Sequence, residues 1–267
     1  MSLLSTEAIV LGSIKLGEAD KLVTFYTDKR GKLKGVAKGA RRMKSRFGAS
    51  LEPFTHCRLQ VFEKGGDKLA RINQSDIVHS FQELREDWGG IHSAFLMAHL
   101  VQKMTPDGHP SEAIFPLLLN GLTFLEKGTD PQLSVFLFVV RLIAYSGYQP
   151  RWDPCLKCHK SPISSFRSGT KPKVGLYFSA SFGGAVCANC AKGIGALVFI
   201  SQGTLAFLEA SQRMDYSRSH RLKPSPVMRK EIETLFRNHL TFITGSRFPE
   251  FDTYPVHSLP TGPAIKN

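Results

Sequence analysis

Cys155, Cys158, Cys187 and Cys190 stand as "PCLKC" and "VCANC", two C-x2-C pairs with 28 residues between them. Each pair can wrap two thiolates around one ion, and two such knuckles complete a tetrahedral S4 shell for Zn²⁺. Four thiolates leave no open coordination position, so the chemistry of such a site is structural rather than catalytic. Two redox-active dithiols, or a chance recurrence of the motif, are the other readings of the spacing. His159 is a weaker substitute ligand, and Cys57, on an apolar strand face, reads as a packed core thiol.

A second chemistry is written in charge. Residues 29–46, "KRGKLKGVAKGARRMKSR", carry nine Lys or Arg and no acid. Residues 1–80 hold 15 basic against 8 acidic side chains, and the whole chain has a formal charge of +13. Such a field attracts phosphate backbones. The bland alternative is a solvated face, but solvated faces usually mix signs. An anionic lipid surface is disfavoured, because no amphipathic helix with a bulky apolar face accompanies the charge. If 31–38 is a strand, its period of two puts Lys32, Lys34, Val36 and Lys38 on one face, and the loop after it adds Arg41, Arg42, Lys44 and Arg46. Six phosphate contacts on a single strand predict a slope of log K against log[salt] of about −4. Phe25, Tyr26 and Phe47 are near enough in sequence to offer stacking surfaces.

Enzymatic machinery is not evident. There is no phosphate-loop, H-E-x-x-H, G-x-S-x-G or dinucleotide signature, and no carboxylate cluster for Mg²⁺. His92 and His99 lie a heptad apart on an expected helix, a spacing more typical of core or surface histidines than of ligands.

The elements that must position these groups fall into two regions. Residues 1–80 read as five short strands, "TEAIVLGSI", "DKLVTFYT", "GKLKGVAK", "PFTHCRLQVF" and "DKLARINQ", with a hairpin turn at "EKGGDK". A five-stranded OB-fold barrel fits that length, and the face of its second and third strands is the usual nucleic-acid platform. An SH3-like barrel has the same periodicity. Residues 81–248 read as a helical domain with a zinc module inserted at about 150–193, and 249–267 as a frayed tail. The fold class is therefore α+β and multidomain. Ser111 is the expected N-cap of a helix that Pro116 bends or restarts. Asp130-Pro131 begins the next helix, which Gly147 ends, and two more follow Ser201 and Ser225. The apolar window Leu133–Gly147 is interrupted by Arg141 and is too short for a membrane span. The opening "MSLLSTEAIVLG" lacks a basic leader, which with the paired cysteines points to a reducing cytosol.

At this point the chain resembles a known family. The opening "AIVL", "GEAD", "T-D-K-R-G-K-L", "AKGARR" and "LEPF", followed by "GYQPRWDPCLKC" and "CANC", are similar to the RecO family of bacterial recombination-mediator and DNA-repair proteins, from residue 5 to about 245. The resemblance implies an OB-fold followed by a helical domain with a zinc-type module. It implies binding of single- and double-stranded DNA and annealing of complementary strands without ATP. The implied partners are RecR, the C-terminal tail of single-strand-binding protein and, indirectly, RecA, in the bacterial cytoplasm at the nucleoid. Its basic DNA surface maps onto Lys34, Lys38, Arg41, Arg42, Lys44 and Arg46, with Lys32 added by the strand argument. No catalytic residue transfers. A second basic cluster, Arg213, Arg218, Arg221, Lys223, Arg229, Lys230 and Arg237, is either a second DNA surface or a solvated helical face. The rival classes are a sequence-specific duplex-binding regulator and a zinc-dependent nuclease.

Overall fold

The computed structural model describes residues 2–63, 69–161, 176–219 and 221–246. The expected turn at 64–68, most of the segment between the two cysteine pairs up to residue 175, and the chain end from 249 lie outside them.

Five strands close a barrel: β1 (Ser2–Leu16), β2 (Asp20–Thr27), β3 (Gly31–Ala37), β4 (His56–Glu63) and β5 (Ala70–His79), in the order β1-β2-β3-β5-β4. β1 serves both halves. Its first part pairs with β4 and its second with β2, and the register shifts between Val10 and Gly12, where a bulge bends the strand around the barrel. Parallel pairing of Gly35 with Ala70 and Val36 with Arg71 closes the cylinder. A Cβ on Gly35 would lie 2.8 Å from Ile72 Cγ1, so this approach of β3 to β5 needs glycine. Val10, Val23, Phe25, Leu59, Val61 and Ile72 fill the interior. Cys57 is buried among them as expected of a core thiol, and burial pushes its pKa up to about 11.

The helices follow: α1 (Trp88–Met104), α2 (Ile114–Glu126) and α3 (Pro131–Tyr145). Ile9, Leu11, Tyr26, Phe54 and Phe81 leave the barrel's own interior and join the helical core instead, so the outside of the barrel is welded onto the helices. Asp130 caps α3, accepting the Leu133 N–H at 3.1 Å, and Gly147 takes the left-handed φ of +80° just past its end. α3 is buried on nearly every side. Its Arg141 is buried too, donating to the carbonyls of Leu137 (3.0 Å) and Met214 (2.9 Å) and lying 4.6 Å from the centre of the Tyr216 ring. Among the described residues no helix is long and apolar enough to cross a membrane.

α2 corrects one expectation. It starts at Ile114 behind Ala113, and Ser111 contributes only its carbonyl, to the Ile114 N–H. Pro116 then falls in the first turn, where an N–H has no helical partner to lose, and the helix runs through it without a break.

After α3 come β6 (Leu176–Ser179), β7 (Gly184–Cys187), the single turn α4 (Ala188–Ala191) and β8 (Leu197–Ile200), a three-stranded sheet of order β7-β6-β8. The chain continues as α5 (Gln202–Arg213), the short α6 (Tyr216–Ser219) and α7 (Pro226–Thr244). Ser201 and Ser225 cap α5 and α7 through their hydroxyls, and Gly245 at φ +64° ends α7. His239 of α7 donates from Nε2 to the Tyr148 carbonyl at 2.7 Å and meets Phe178 edge-on. Burial holds its pKa below the ordinary value, so the ring joins α7 to the small sheet as a neutral donor.

Candidate nucleic-acid interface and metal centre

The basic loop is built by short-range backbone bonds and anchored at both ends. Gly39, at φ +70°, donates its N–H to Asp20 Oδ1 at 2.7 Å, and the Arg41 N–H reaches the Ala19 carbonyl at 2.9 Å. The Arg41 guanidinium donates to the carbonyls of Gly17 (3.1 Å) and Glu18 (2.7 Å), fixing the loop against the β1–β2 turn. At the far end Phe47 is buried in the barrel, with the Arg46 guanidinium 5.0 Å from its ring centre. Between these anchors Lys38, Arg41, Arg42, Lys44 and Arg46 are all exposed, and among the described residues none of the five makes an ion pair. Like charges held this close without acids raise the local potential and gain most when a polyanion arrives.

β3 behaves differently along its length. Its alternation is as expected, with Gly35 and Ala37 buried and Lys32, Lys34 and Val36 on the other face. Lys32, however, does not face solvent. Its side chain is 11% exposed, and Nζ donates to the Gln102 carbonyl at 2.7 Å and to the Thr105 carbonyl, and pairs with Asp107 Oδ1 at 3.0 Å. The Lys32 carbonyl accepts the Gly108 N–H, and a Cβ on Gly31 would fall 2.1 Å from the His109 carbonyl oxygen. The start of β3 is thus packed against the loop after α1, and Lys32 is removed from the expected DNA-facing row. Lys34 stays 40% exposed and meets Asp107 Oδ2 at 3.4 Å. Although burial works the other way, hydrogen bonding and charge from the two lysines hold the Asp107 carboxyl below its usual range. Sequence reasoning missed Asp107, whose "PDGHP" context reads as a plain turn between helices.

The expected stacking aromatics are also corrected. Phe25, Tyr26 and Phe47 are each at most 4% exposed, spent on the two cores rather than on a surface.

The four cysteines come together as their spacing predicts. All four sulfur atoms lie within 4.8 Å of one another, and Cys158 Sγ is 3.8 Å from Cys187 Sγ. A tetrahedral zinc with Zn–S bonds of about 2.3 Å places its sulfurs about 3.8 Å apart, so the cluster fits one ion. The first knuckle is held to the sheet by backbone bonds. Ala185 donates to the Arg151 carbonyl at 2.7 Å and Leu156 to the Ala185 carbonyl at 2.9 Å. Gly184 is required at this crossing, because a Cβ there would come within 2.2 Å of the Arg151 oxygen. The second knuckle runs from the end of β7 into α4. Burial opposes ionisation of Cys155, but the N–H groups of Cys187, Cys158 and Lys157 outweigh it and hold the thiol down at about 6. Hydrogen bonding to the sulfurs of Cys158 and Cys187 pushes Cys190 up to about 12. Four sulfurs sharing protons in this way are the ligand set a metal ion would take over. Among the described residues this is the group that could hold one, and His159 is not part of it.

Comparison with known proteins covers both halves of this architecture. The family model for the N-terminal part of recombination protein O matches residues 1–81, and that for its C-terminal part matches residues 85–249. The chain belongs to the RecO family. DNA repair protein RecO of Thermodesulfovibrio yellowstonii is 35% identical over 247 residues, covering 90% of this chain and 93% of that one. The RecO proteins of a Thermoanaerobacter species (31% identity, 90% and 92% coverage) and of Pelotomaculum thermopropionicum (32%, 91% and 90%) are similar along nearly their whole length.

Within this RecO fold the second basic cluster is divided. Arg229 pairs with Asp130 at 2.6 Å and donates to Gln132, and Arg237 pairs with Glu233 one turn away, so both act inside the helical domain. Arg213, Arg218, Arg221, Lys223 and Lys230 are exposed around α6 and the start of α7.

Proposed function

We propose that this RecO chain is a non-enzymatic mediator of DNA repair and recombination. It binds single- and double-stranded DNA, anneals complementary strands without ATP, and with RecR loads RecA onto strands coated by single-strand-binding protein, whose C-terminal tail it engages. The observation that carries the reading is the anchored, acid-free loop with five exposed cations at the mouth of an OB-type barrel. Lys34, Lys38, Arg41, Arg42, Lys44 and Arg46 are its DNA contacts. Phosphate contacts of this kind position a strand without reading its sequence. That suits annealing, where any complementary pair must be accepted.

The four-cysteine centre takes a structural Zn²⁺, bound by Cys155, Cys158, Cys187 and Cys190, which ties the knuckles to the small sheet. With all four positions filled by thiolates the ion has no site for an attacking water, which is why a zinc-dependent nuclease is the weaker reading. The protein works in the bacterial cytoplasm, at the nucleoid.

The test is fluorescence annealing of two complementary oligonucleotides without nucleotide cofactor, comparing wild type with a variant carrying Arg41→Ala, Arg42→Ala, Lys44→Ala and Arg46→Ala. Acceleration by the wild type and its loss in the folded variant is the expected result. A variant that anneals at the wild-type rate would remove the loop from the mechanism, and a wild type that does not accelerate would remove annealing itself.

A further inference from the structure

The solvent face of the barrel carries an apolar row that neither core uses. Ile14 on β1 is the register partner of Leu22 on β2, and Leu22 is the partner of Val36 on β3. Their neighbours define the direction: Val23 and Ala37 are fully buried in the barrel, so Leu22 and Val36 point outward. Ile14 is 64% exposed, Leu22 and Val36 are half-buried, and none of the three belongs to either core. Leu16, two positions further along β1 on the same face, is exposed as well. Strands sit about 4.8 Å apart, so the row crosses the sheet for about 10 Å at right angles to the strands.

Its borders are cationic. On β3 the outward residue before Val36 is Lys34, and the chain leaves the strand at the exposed Lys38, from which the basic loop departs. The acids on this face are already engaged: Asp20 accepts the Gly39 N–H and Asp107 sits on Lys32 and Lys34. An aliphatic strip bracketed by lysines complements a ligand that is flat and apolar along one edge and regularly anionic along the other. Single-stranded DNA is such a ligand. A duplex is not, because its base faces are stacked on one another and only base edges and phosphates are presented.

Resting on the DNA-binding reading above, we infer that Ile14, Leu22 and Val36 form a base-contacting row that makes this face prefer single strands to duplex. Lys34 and Lys38 take the phosphates on either side of bases laid across the row. The preference is for unpaired bases of any identity, since aliphatic packing on a base face does not read hydrogen-bonding edges.

The experiment is fluorescence anisotropy with three labelled ligands of about 20 nucleotides, longer than one OB-fold site: oligo-dT, an abasic strand with the same phosphates, and a duplex. Wild type is compared with the variant Ile14→Thr, Val36→Thr, whose β-branched residues keep the strand. The row predicts that oligo-dT binding weakens by about tenfold while abasic and duplex binding and the salt slope do not change. The variant Ile14→Val, Val36→Ile should bind oligo-dT as wild type does. Equal losses on all three ligands, or unchanged oligo-dT binding, overturn the inference, the second result leaving the row to a protein partner. If wild type binds none of the three at low salt, the DNA reading itself has failed. Should the double variant not fold, Ile14→Ser alone, at the most exposed position, carries the same test.

Discussion

Lys32 and Asp107 meet at 3.0 Å across the junction of barrel and helices, and the same carboxylate reaches Lys34 through its other oxygen at 3.4 Å. One acid therefore touches a lysine that is structural and a lysine that faces solvent, although the two lysines are adjacent on one strand face.

Lys32→Ala should act on stability. It leaves the Gln102 and Thr105 carbonyls without their donor, and the cost expected is about 1–3 kcal/mol in urea unfolding. Lys34→Ala should do the reverse, leaving the unfolding midpoint in place and reducing the magnitude of the salt slope of DNA binding by about 0.7–0.9, one phosphate contact.

Asp107→Asn should strengthen DNA binding, because it releases Lys34 from a competing anion. It also gives the pH dependence its sign. The Asp107 carboxyl is held below its usual range in the folded state, so its contribution to stability is complete above the unfolded value of about 3.9 and is lost as pH falls through the lower folded value. The stability gap between wild type and Asp107→Asn should be constant at neutral pH and close in strong acid. A gap that instead closed as pH rose toward alkaline values would assign it to another group.

The cysteine cluster predicts one equivalent of zinc per chain by elemental analysis, lost in Cys155→Ser. Removing the ion should destabilise the small sheet, lowering Tm by about 10 °C for a loss near 3 kcal/mol. DNA binding by the barrel loop should survive at temperatures where the variant remains folded.

The exposed cations around α6 bear on how two strands are held at once. Changing Arg218, Arg221 and Lys223 to Ala should slow annealing while leaving single-strand affinity nearly unchanged, if one strand lies on each surface. An unaltered annealing rate would reduce this cluster to a solvated helical face.

Much of the architecture is legible in the residues themselves. Five strands, two cysteine knuckles, the helix starts at Asp130-Pro131, Ser201 and Ser225 and the terminating Gly147 follow from patterns a few residues long, because alternation, helix punctuation and chelation are governed by neighbours in the chain. Ser111 misled because a good capping residue is only permitted, not compelled, to cap. Pro116 misled because its effect depends on how far into a helix it falls.

The aromatic residues near the basic stretch take places that strand alternation alone does not assign. Phe25 and Tyr26 are consecutive and must point to opposite faces of β2, yet both are buried, one in the barrel and the other against the helices. Composition and spacing by themselves determined that the chain has a barrel-forming segment, a concentrated positive loop and a four-thiolate centre. Only the tertiary structure decided which charges are available. Lys32 and Lys34 are equivalent to any periodic reading, and they differ because the docked end of α1 presents its carbonyls to the first and leaves the second in water.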